Sequence, residues 1–288
     1  MKERLTAALS LLLLAANAAA YTDAGGRYTF GAGGYSGVSL FAEGGNDEYY
    51  LRGGLNTYIS DGADRYSTYS AGAGVDRERW SASAEVSMTP ETGGYKNTGL
   101  YADLGWNLVT DPEDGNALED AVLGLFGAVT SHEDMYSLST TTVSGSGRRT
   151  SVSSLTDSFK LSQRDYGLSA SFRIVGVRLS GRYTMTSYDK DITAEARQLP
   201  VDIGGIGTSG FPSRAISARI KFAALPLSPE AGYARTSYML DQPDSESVSA
   251  GLSLRTGPAL WKLSWENFNP GGGAARADYY SASLEFSF

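Results

Sequence analysis

Apolar and polar residues alternate strictly over the last twelve residues of the chain, ADYYSASLEFSF. Reading back from Phe288, every second residue is apolar, through Phe286, Leu284, Ala282 and Tyr280. A period of two residues is typical of a β-strand with one apolar face and one polar face. The strand ends on an aromatic residue, which a strand closing a barrel in a bilayer can place at the membrane interface.

The same alternation recurs in the segments ERWSASAEVSM, RDYGLSASFRI, VRLSGRYTMT and SVSAGLSLR. One face of each segment is purely apolar, and the other face carries serine, glycine, threonine and charged residues. A closed soluble core would not leave so pure an apolar face along every strand. The pattern instead indicates lipid outside and water inside.

Weaker alternation predicts further strands near 26–33, 37–43, 48–59, 65–76, 97–107, 120–130, 214–224, 231–241 and 259–267. Together with the segments above, the sequence predicts a closed, antiparallel transmembrane β-barrel of about 14 strands. The first two strands carry the least periodic signal, and without them the number would be 12. A soluble periplasmic β-protein is the alternative at the level of the fold.

The first 20 residues have the features of a secretory signal peptide. Lys2 and Arg4 precede an apolar run, and three alanines offer a cleavage site before Tyr21. No segment reaches the roughly 20 continuous apolar residues of a transmembrane helix. We therefore predict a signal peptide over 1–20 and a single barrel domain over 21–288.

The last strand resembles the closing strand of Gram-negative outer-membrane β-barrel proteins. In that family, a terminal phenylalanine with alternating hydrophobic residues is read by the barrel assembly machinery. The matching residues are Tyr280, Leu284, Phe286 and Phe288. The resemblance implies the outer membrane as location, outer-membrane lipid as surroundings and the assembly machinery as a partner during biogenesis.

If the chain ends in the periplasm, the connections alternate between short turns and longer outer loops. The two longest loops, 131–157 and 189–213, both fall on the outer side, as expected for such barrels. Trp80, Trp106 and Trp261 lie beside the opposite turns, where an aromatic girdle would form. Chance placement of large residues in strands is the alternative interpretation.

The composition excludes several kinds of protein and site. A net charge of −8 argues against nucleic acid as a partner, and the absence of cysteine excludes a disulfide scaffold. DPEDGN at 111–116 lacks the ligand spacing of a calcium loop and is better read as a turn. No cofactor or metal site is predicted.

Two loop features were candidates for chemistry or binding. His132, the only histidine, lies where the longest loop begins, and a solvated loop residue is a better interpretation than a catalytic one. If the strand continued there, Ser131 and His132 would point to opposite faces and could not pair. Arg148 and Arg149 could contact lipopolysaccharide phosphates, although a flexible solvated loop is the simpler interpretation.

Charged residues on the polar face would line the lumen. Extrapolating the alternation, the predicted lining residues are Glu85, Asp103, Asp165, Arg173, Arg178, Arg182, Arg219, Lys221, Arg235, Arg255, Lys262, Glu266 and Glu285. The basic residues cluster on later strands than Glu85 and Asp103, so opposed charge walls could create a transverse field.

From these residues we predict a non-enzymatic function: the passive passage of small hydrophilic solutes or ions through a water-filled channel. The charges could instead pair with one another and close the interior, and Arg182, Arg219 and Arg235 could all be neutralised in this way. The alternative functions are then a structural or surface ligand-binding barrel without conductance and, as a further possibility, an outer-membrane hydrolase.

Overall fold

The computed structural model describes residues 20–62, 64–109, 117–143, 150–192, 210–223 and 225–288, with the backbone alone over 136–143 and 150–157. Most of the predicted signal peptide, the DPEDGN segment and Arg148 and Arg149 lie outside the described residues. No helix within the described ranges has both the length and the apolar character needed to cross a membrane.

The chain forms one closed antiparallel barrel of 14 strands, in which each strand pairs with its neighbours in sequence and β1 pairs with β14. The strands are β1 (Tyr21–Gly31), β2 (Ser36–Gly45), β3 (Tyr49–Ile59), β4 (Tyr66–Asp76), β5 (Trp80–Thr92), β6 (Tyr95–Asn107), β7 (Leu118–Val143), β8 (Thr150–Ile174), β9 (Val177–Tyr188), β10 (Pro212–Phe222), β11 (Leu227–Tyr238), β12 (Ser245–Thr256), β13 (Ala259–Asn269) and β14 (Ala277–Ser287). The predicted fold class is confirmed with the larger of the two strand numbers.

Most short connections lie at one end of the barrel, which we call the turn end, and the longest connection, β9–β10, lies at the other, the loop end. The exceptions are the β6–β7 connection over 108–117 at the turn end and the two-residue β5–β6 connection at the loop end. The β8–β9 turn shows how tight the turn end is, because Val175 and Gly176 alone join the two strands, with φ of 45° and 72°. Two consecutive residues with positive φ form the hairpin turn whose twist matches the flanking strands. Apart from those two exceptions, the connection lengths follow the predicted parity.

Strands β7 and β8 are more than twice as long as most of their neighbours, at 26 and 25 residues. Apart from a register shift between Leu118 and Asp120, they pair without interruption up to Val143 with Thr150. Most of the predicted outer loop 131–157 is therefore a β-hairpin that continues beyond the rest of the wall, and the loop prediction is wrong. Backbone pairing supplies the hydrogen bonds of its Ser- and Thr-rich part.

The register assigns each residue to a face, because directly paired residues point to the same side of the sheet. Leu51, Leu100, Leu168 and Leu263 all lie outward and are more than half exposed on the bare protein, at 57, 53, 57 and 62%. Such a continuous outward apolar band needs lipid to cover it.

Aromatic residues border the outward band at both of its edges. Near the turn end, Trp80 pairs with Trp106 across β5 and β6, and Trp261 also faces outward. Near the loop end, the outward aromatic residues are Tyr69, Tyr166, Tyr183, Tyr233, Trp265 and Tyr280. Amphipathic rings at these heights suit the two interfaces of a bilayer.

Candidate functional site in the barrel lumen

Inward-facing side chains leave a cavity of about 1090 Å³ inside the barrel. It runs from Lys221 and Glu230, next to the β10–β11 turn, to Tyr35, Phe268 and Tyr279 near the loop end. The lining between these ends is rich in serine from β8 to β14. A polar surface along most of the barrel height is suited to hold water.

Unpaired cations occupy one wall of this cavity, which we call the basic wall and define as Arg182, Arg219 and Lys221 on β9 and β10. The register brings Arg182 beside Ser169 and Ser217, and Arg219 beside Ser180. None of the three forms an ion pair with a described residue. No carboxylate of the described part of the chain lies within ion-pair distance of these three side chains, and the nearest acid in the register is Glu230, opposite Lys221.

Arg182 is held by aromatic rings instead of by an acid. Its guanidinium carbon lies 3.5 Å from the ring centroid of Phe126, which stacks on Tyr101 at 6.3 Å. Phe126 is only 8% exposed and packs over Gly167, where a Cβ would come within 2.6 Å of the Phe126 ring. A cation over a ring face is stabilised without losing its charge, so this packing positions Arg182 and leaves it free to attract an anion.

On the opposite wall, formed by β2–β6, most charged side chains contact a partner within the protein. Arg52 Nε lies 2.9 Å from Glu85 Oε2, although the two groups are not aligned as a hydrogen bond. Asp103 accepts a hydrogen bond from Ser83 at 2.5 Å, and Glu43 accepts one at 3.0 Å from Tyr21. We call this set of paired groups the paired wall.

A second, smaller cavity of about 450 Å³ lies along the paired wall and is lined by Arg27, Arg52, Glu43, Glu85 and Glu285. Arg27 also lines the larger cavity. Acidic and basic groups nearly balance here, whereas cations predominate in the larger cavity.

Other predicted lining residues form pairs near the turn end. Lys262 Nζ donates to Glu285 Oε1 at 2.6 Å, and Arg178 donates to Asp120 at 2.9 Å. Arg173 Nε lies 2.8 Å from Glu119. Pairing thus neutralises some of the predicted lining charges but not the basic wall.

The register places every charged residue predicted to face the lumen on the inward face, with the exception of Arg235. Arg235 pairs with Ile216 and Glu246, and it shares the outward face of β11 with Tyr233. The prediction that Arg235 lines the lumen is wrong, because it lies beyond the apolar band, where a strand can carry a charge outward.

Arg235 instead forms an ion pair at the outer rim. It donates to Asp244 from both Nε and Nη2, at 2.9 and 2.7 Å. These hydrogen bonds hold the pKa of the Asp244 carboxyl below its usual range.

Several lining residues escaped the sequence interpretation, among them Arg27, Arg52, Tyr101 and Phe126. Arg52 lies in YYLRGGLN, where an inward Tyr50 and a run of glycines blur the alternation. Phe126 was not recognised as a lining residue because, by polarity alone, an aromatic residue is assigned to the outward apolar face. Counting the period of two from Leu51 or Leu125 would have placed both residues inward.

At the loop end, an arc of aromatic side chains follows the inner rim. Consecutive rings lie 5.5 to 6.3 Å apart along the series Tyr279, Tyr35, Tyr58, Tyr66, Tyr95 and His132. The arc spans strands β14 to β7 and gives half of the mouth an aromatic lining with phenolic groups.

His132 is not a loop residue, contrary to the sequence interpretation. It lies in β7, faces inward and has its Nδ1 hydrogen-bonded to the Tyr95 hydroxyl at 2.8 Å. The same hydroxyl accepts a hydrogen bond from Asn97. Ser131 lies on the outward face, so the two neighbours do not form a nucleophile–base pair.

An apolar cluster at the loop end packs against Tyr95 of the aromatic arc. Phe159 and Leu161 of β8 are 5 and 2% exposed and pack with Ile192 and Phe211, which lie in the β9–β10 connection. Among the described residues, no group of three or more His, Cys, Asp or Glu side chains could hold a metal ion.

Comparisons with known proteins bear on the fold alone. CdiB from Acinetobacter baumannii matches with a TM-score of 0.50 and 9% identity over 93% of this chain, which spans 60% of the CdiB chain. The protein has the fold of an outer-membrane β-barrel. No protein-family model matches the sequence, and neither does any curated protein.

Two further solved structures match with lower TM-scores. Omp33 of Acinetobacter baumannii gives a TM-score of 0.48 at 9% identity, over 93% of this chain and 97% of its own. The NanC porin gives 0.42 at 11% identity, over 92 and 98% of the two chains.

Proposed function

We propose that this barrel resides in the outer membrane and forms a water-filled channel for the passive passage of small hydrophilic solutes and ions, with a preference for anions. The observation that carries the proposal is the basic wall, whose three cations face a cavity of about 1090 Å³ and lack acidic partners among the described residues.

Electrostatics supports the anion preference. A unit charge acts on an ion about 4 Å away with roughly 1 kcal/mol in water, and more strongly where the wall excludes water. Three cations along one wall therefore raise the local concentration of anions and lower that of cations. The paired wall contributes less, because Arg52 and Glu85 largely cancel each other.

The surroundings of the barrel support the membrane location. The outward band is apolar, and its edges carry aromatic residues, as a bilayer requires. The predicted assembly residues Tyr280, Leu284, Phe286 and Phe288 lie on β14, whose outward face continues this band, except that Phe288 follows the strand. Their role in assembly stays a prediction.

The first test is conductance. The purified protein, shown to be folded by heat-modifiable migration in detergent gels, should produce discrete current steps in planar lipid bilayers. A folded barrel that inserts into vesicles and passes no current would contradict the proposal.

One observation favours a second candidate, a barrel that binds a surface ligand without conducting. The β7–β8 hairpin continues some ten residues past the outward pair Lys96 and Lys160, which both contact Glu133. Deleting 136–155 should leave the current steps intact if the channel is the function. The second candidate would be favoured if the parent showed no conductance and the deletion variant lost binding of a surface ligand.

A further inference from the structure

We propose that the outward surface of β8–β11 is a binding site for one phosphorylated, multiply acylated lipid, which in an outer membrane is the lipid A part of lipopolysaccharide. The inference rests on the membrane location in the proposed function but not on conductance.

The first observation is a groove of about 560 Å³ on the outward surface. Its floor is made of small residues, Ala170, Gly181, Ala218 and Ala231. Larger side chains border it, namely Phe172, Leu179, Ile220 and Tyr233. Register confirms that the floor faces outward, because Ala170 pairs with Gly181 and Gly181 pairs with Ala218. An apolar groove at this depth fits hydrocarbon chains.

The second observation is a pair of arginines above the groove. Arg164 lies on β8 two residues beyond the outward Tyr166, and Arg214 lies on β10 opposite Met185 of β9. Both are exposed, and neither forms an ion pair with a described residue. Arg214 donates a hydrogen bond of 3.4 Å to Ser237, and it interacts with Asp244 at longer range without forming an ion pair.

The two arginines stand at the level of lipid headgroups. Tyrosines such as Tyr166 prefer the boundary between hydrocarbon and headgroups. Arg214 is four residues from Ala218 and Arg164 six from Ala170, so roughly 13 and 20 Å along the strands separate the charges from the floor. Half the thickness of a bilayer's hydrocarbon core, about 15 Å, falls between these two distances.

Charge complementarity selects a phosphorylated lipid as the occupant. Guanidinium groups bind phosphate through charge-assisted hydrogen bonds. The two arginines flank β9, roughly 10 Å apart across the strands and offset by about 7 Å along them. The outward charges near the loop end of β12 and β14 are acidic instead, at Glu246 and Asp278. The basic groups above the groove thus mark one side of the barrel.

The test is native mass spectrometry of the full barrel in detergent, titrated with purified lipid A or with lipid A whose phosphates have been removed. The parent should retain one lipid A. Arg164→Gln with Arg214→Gln should weaken its binding about 30-fold, each arginine contributing roughly fivefold. Removing the phosphates should produce a similar loss in the parent and little further loss in the double variant.

A groove variant and a matched charge control complete the design. Gly181→Leu fills the floor, because a Cβ there meets nothing closer than the Ser217 carbonyl at 3.6 Å, and it should weaken both lipids. Arg65→Gln with Arg276→Gln removes the same charge from exposed loop positions elsewhere and should leave binding unchanged. Heat-modifiable migration verifies that each variant is folded.

Equal lipid A binding by the parent, the double variant and the control would overturn the proposal. So would a dimer or trimer mass that the double variant abolishes, because a second copy would then be the occupant. Conductance is measured separately, so a barrel that conducts without retaining lipid A contradicts only the lipid site, and one that retains lipid A without conducting contradicts only the channel.

Discussion

The basic wall and the paired wall contain similar residues and differ in what those residues contact. On the paired wall, Arg52 lies 2.9 Å from Glu85, so an ion pair within the protein neutralises its positive charge. On the basic wall, Arg182 is positioned by Phe126 at 3.5 Å and keeps its charge available. The contrast teaches that the partner of a lining arginine, more than its presence in the lumen, decides whether it acts on a solute.

Removing the unpaired charges should have the largest effect. Arg219→Gln with Lys221→Gln takes two cations from the wall, and we expect the permeability ratio of chloride to potassium to fall roughly three- to tenfold at 0.1 M salt, where charges act over about 10 Å. Reversal potentials under a salt gradient measure this ratio. An unchanged ratio would mean that the permeating ions do not pass the basic wall.

Releasing a paired charge should act in the opposite direction and less strongly. Glu85→Gln leaves Arg52 without its acid, so the paired wall gains a free cation and the chloride preference should rise about twofold to fourfold. The same reversal-potential measurement applies. Ser87→Gln, a neutral change on the same inward face of β5, is the control for altered lumen width.

The two walls should also differ in how much a substitution lowers the free energy of unfolding. Arg52→Gln leaves Glu85 partly buried without a partner and should lower the free energy of unfolding by about 1 kcal/mol. Arg219→Gln breaks no ion pair and should change it by less than about 0.5 kcal/mol. Urea unfolding of the barrel in lipid vesicles compares them, and equal losses would show that Arg219 has a structural partner after all.

Arg235 provides the smallest expected effect and the sharpest control. Because it faces outward, Arg235→Gln should leave ion selectivity unchanged. Losing its hydrogen bonds should raise the pKa of Asp244 toward the ordinary value, since they hold it down. This depressed pKa stabilises the rim above the ordinary pKa, and that contribution is lost as the pH falls through the lower folded-state value. Carboxyl NMR titration of Asp244 tests the shift, and a selectivity change would place Arg235 in the lumen.

The alternation of apolar and polar residues was enough to predict most of the fold and part of the lumen lining. Lys262 and Glu285 could be placed inward because their strands alternate cleanly, and they lie 2.6 Å apart. Arg235 could not, because polarity is an unsafe guide to the face once a strand leaves the lipid. His132 was misplaced for a related reason, because β7 continues past the lipid-facing segment with polar residues such as Ser131 and Glu133 on its outward face.

The pairing of Arg52 with Glu85 was beyond the sequence interpretation, which did not place Arg52 in the lumen. Arg52 and Glu85 are separated by a whole strand, with Gly72 of β4 between them in the register. That glycine provides the room for the contact, because a Cβ there would come within 3.1 Å of Arg52 Nε. Register and side-chain reach decide such contacts, and single-strand periodicity contains neither.

The reversal potential of the unmodified barrel in a planar bilayer under a tenfold potassium chloride gradient tests the central claim most directly. Free cations on the basic wall and neutralised charges on the paired wall predict an anion-selective potential, and it should move toward zero in the Arg219→Gln, Lys221→Gln variant. A cation-selective potential in the unmodified barrel would contradict the account.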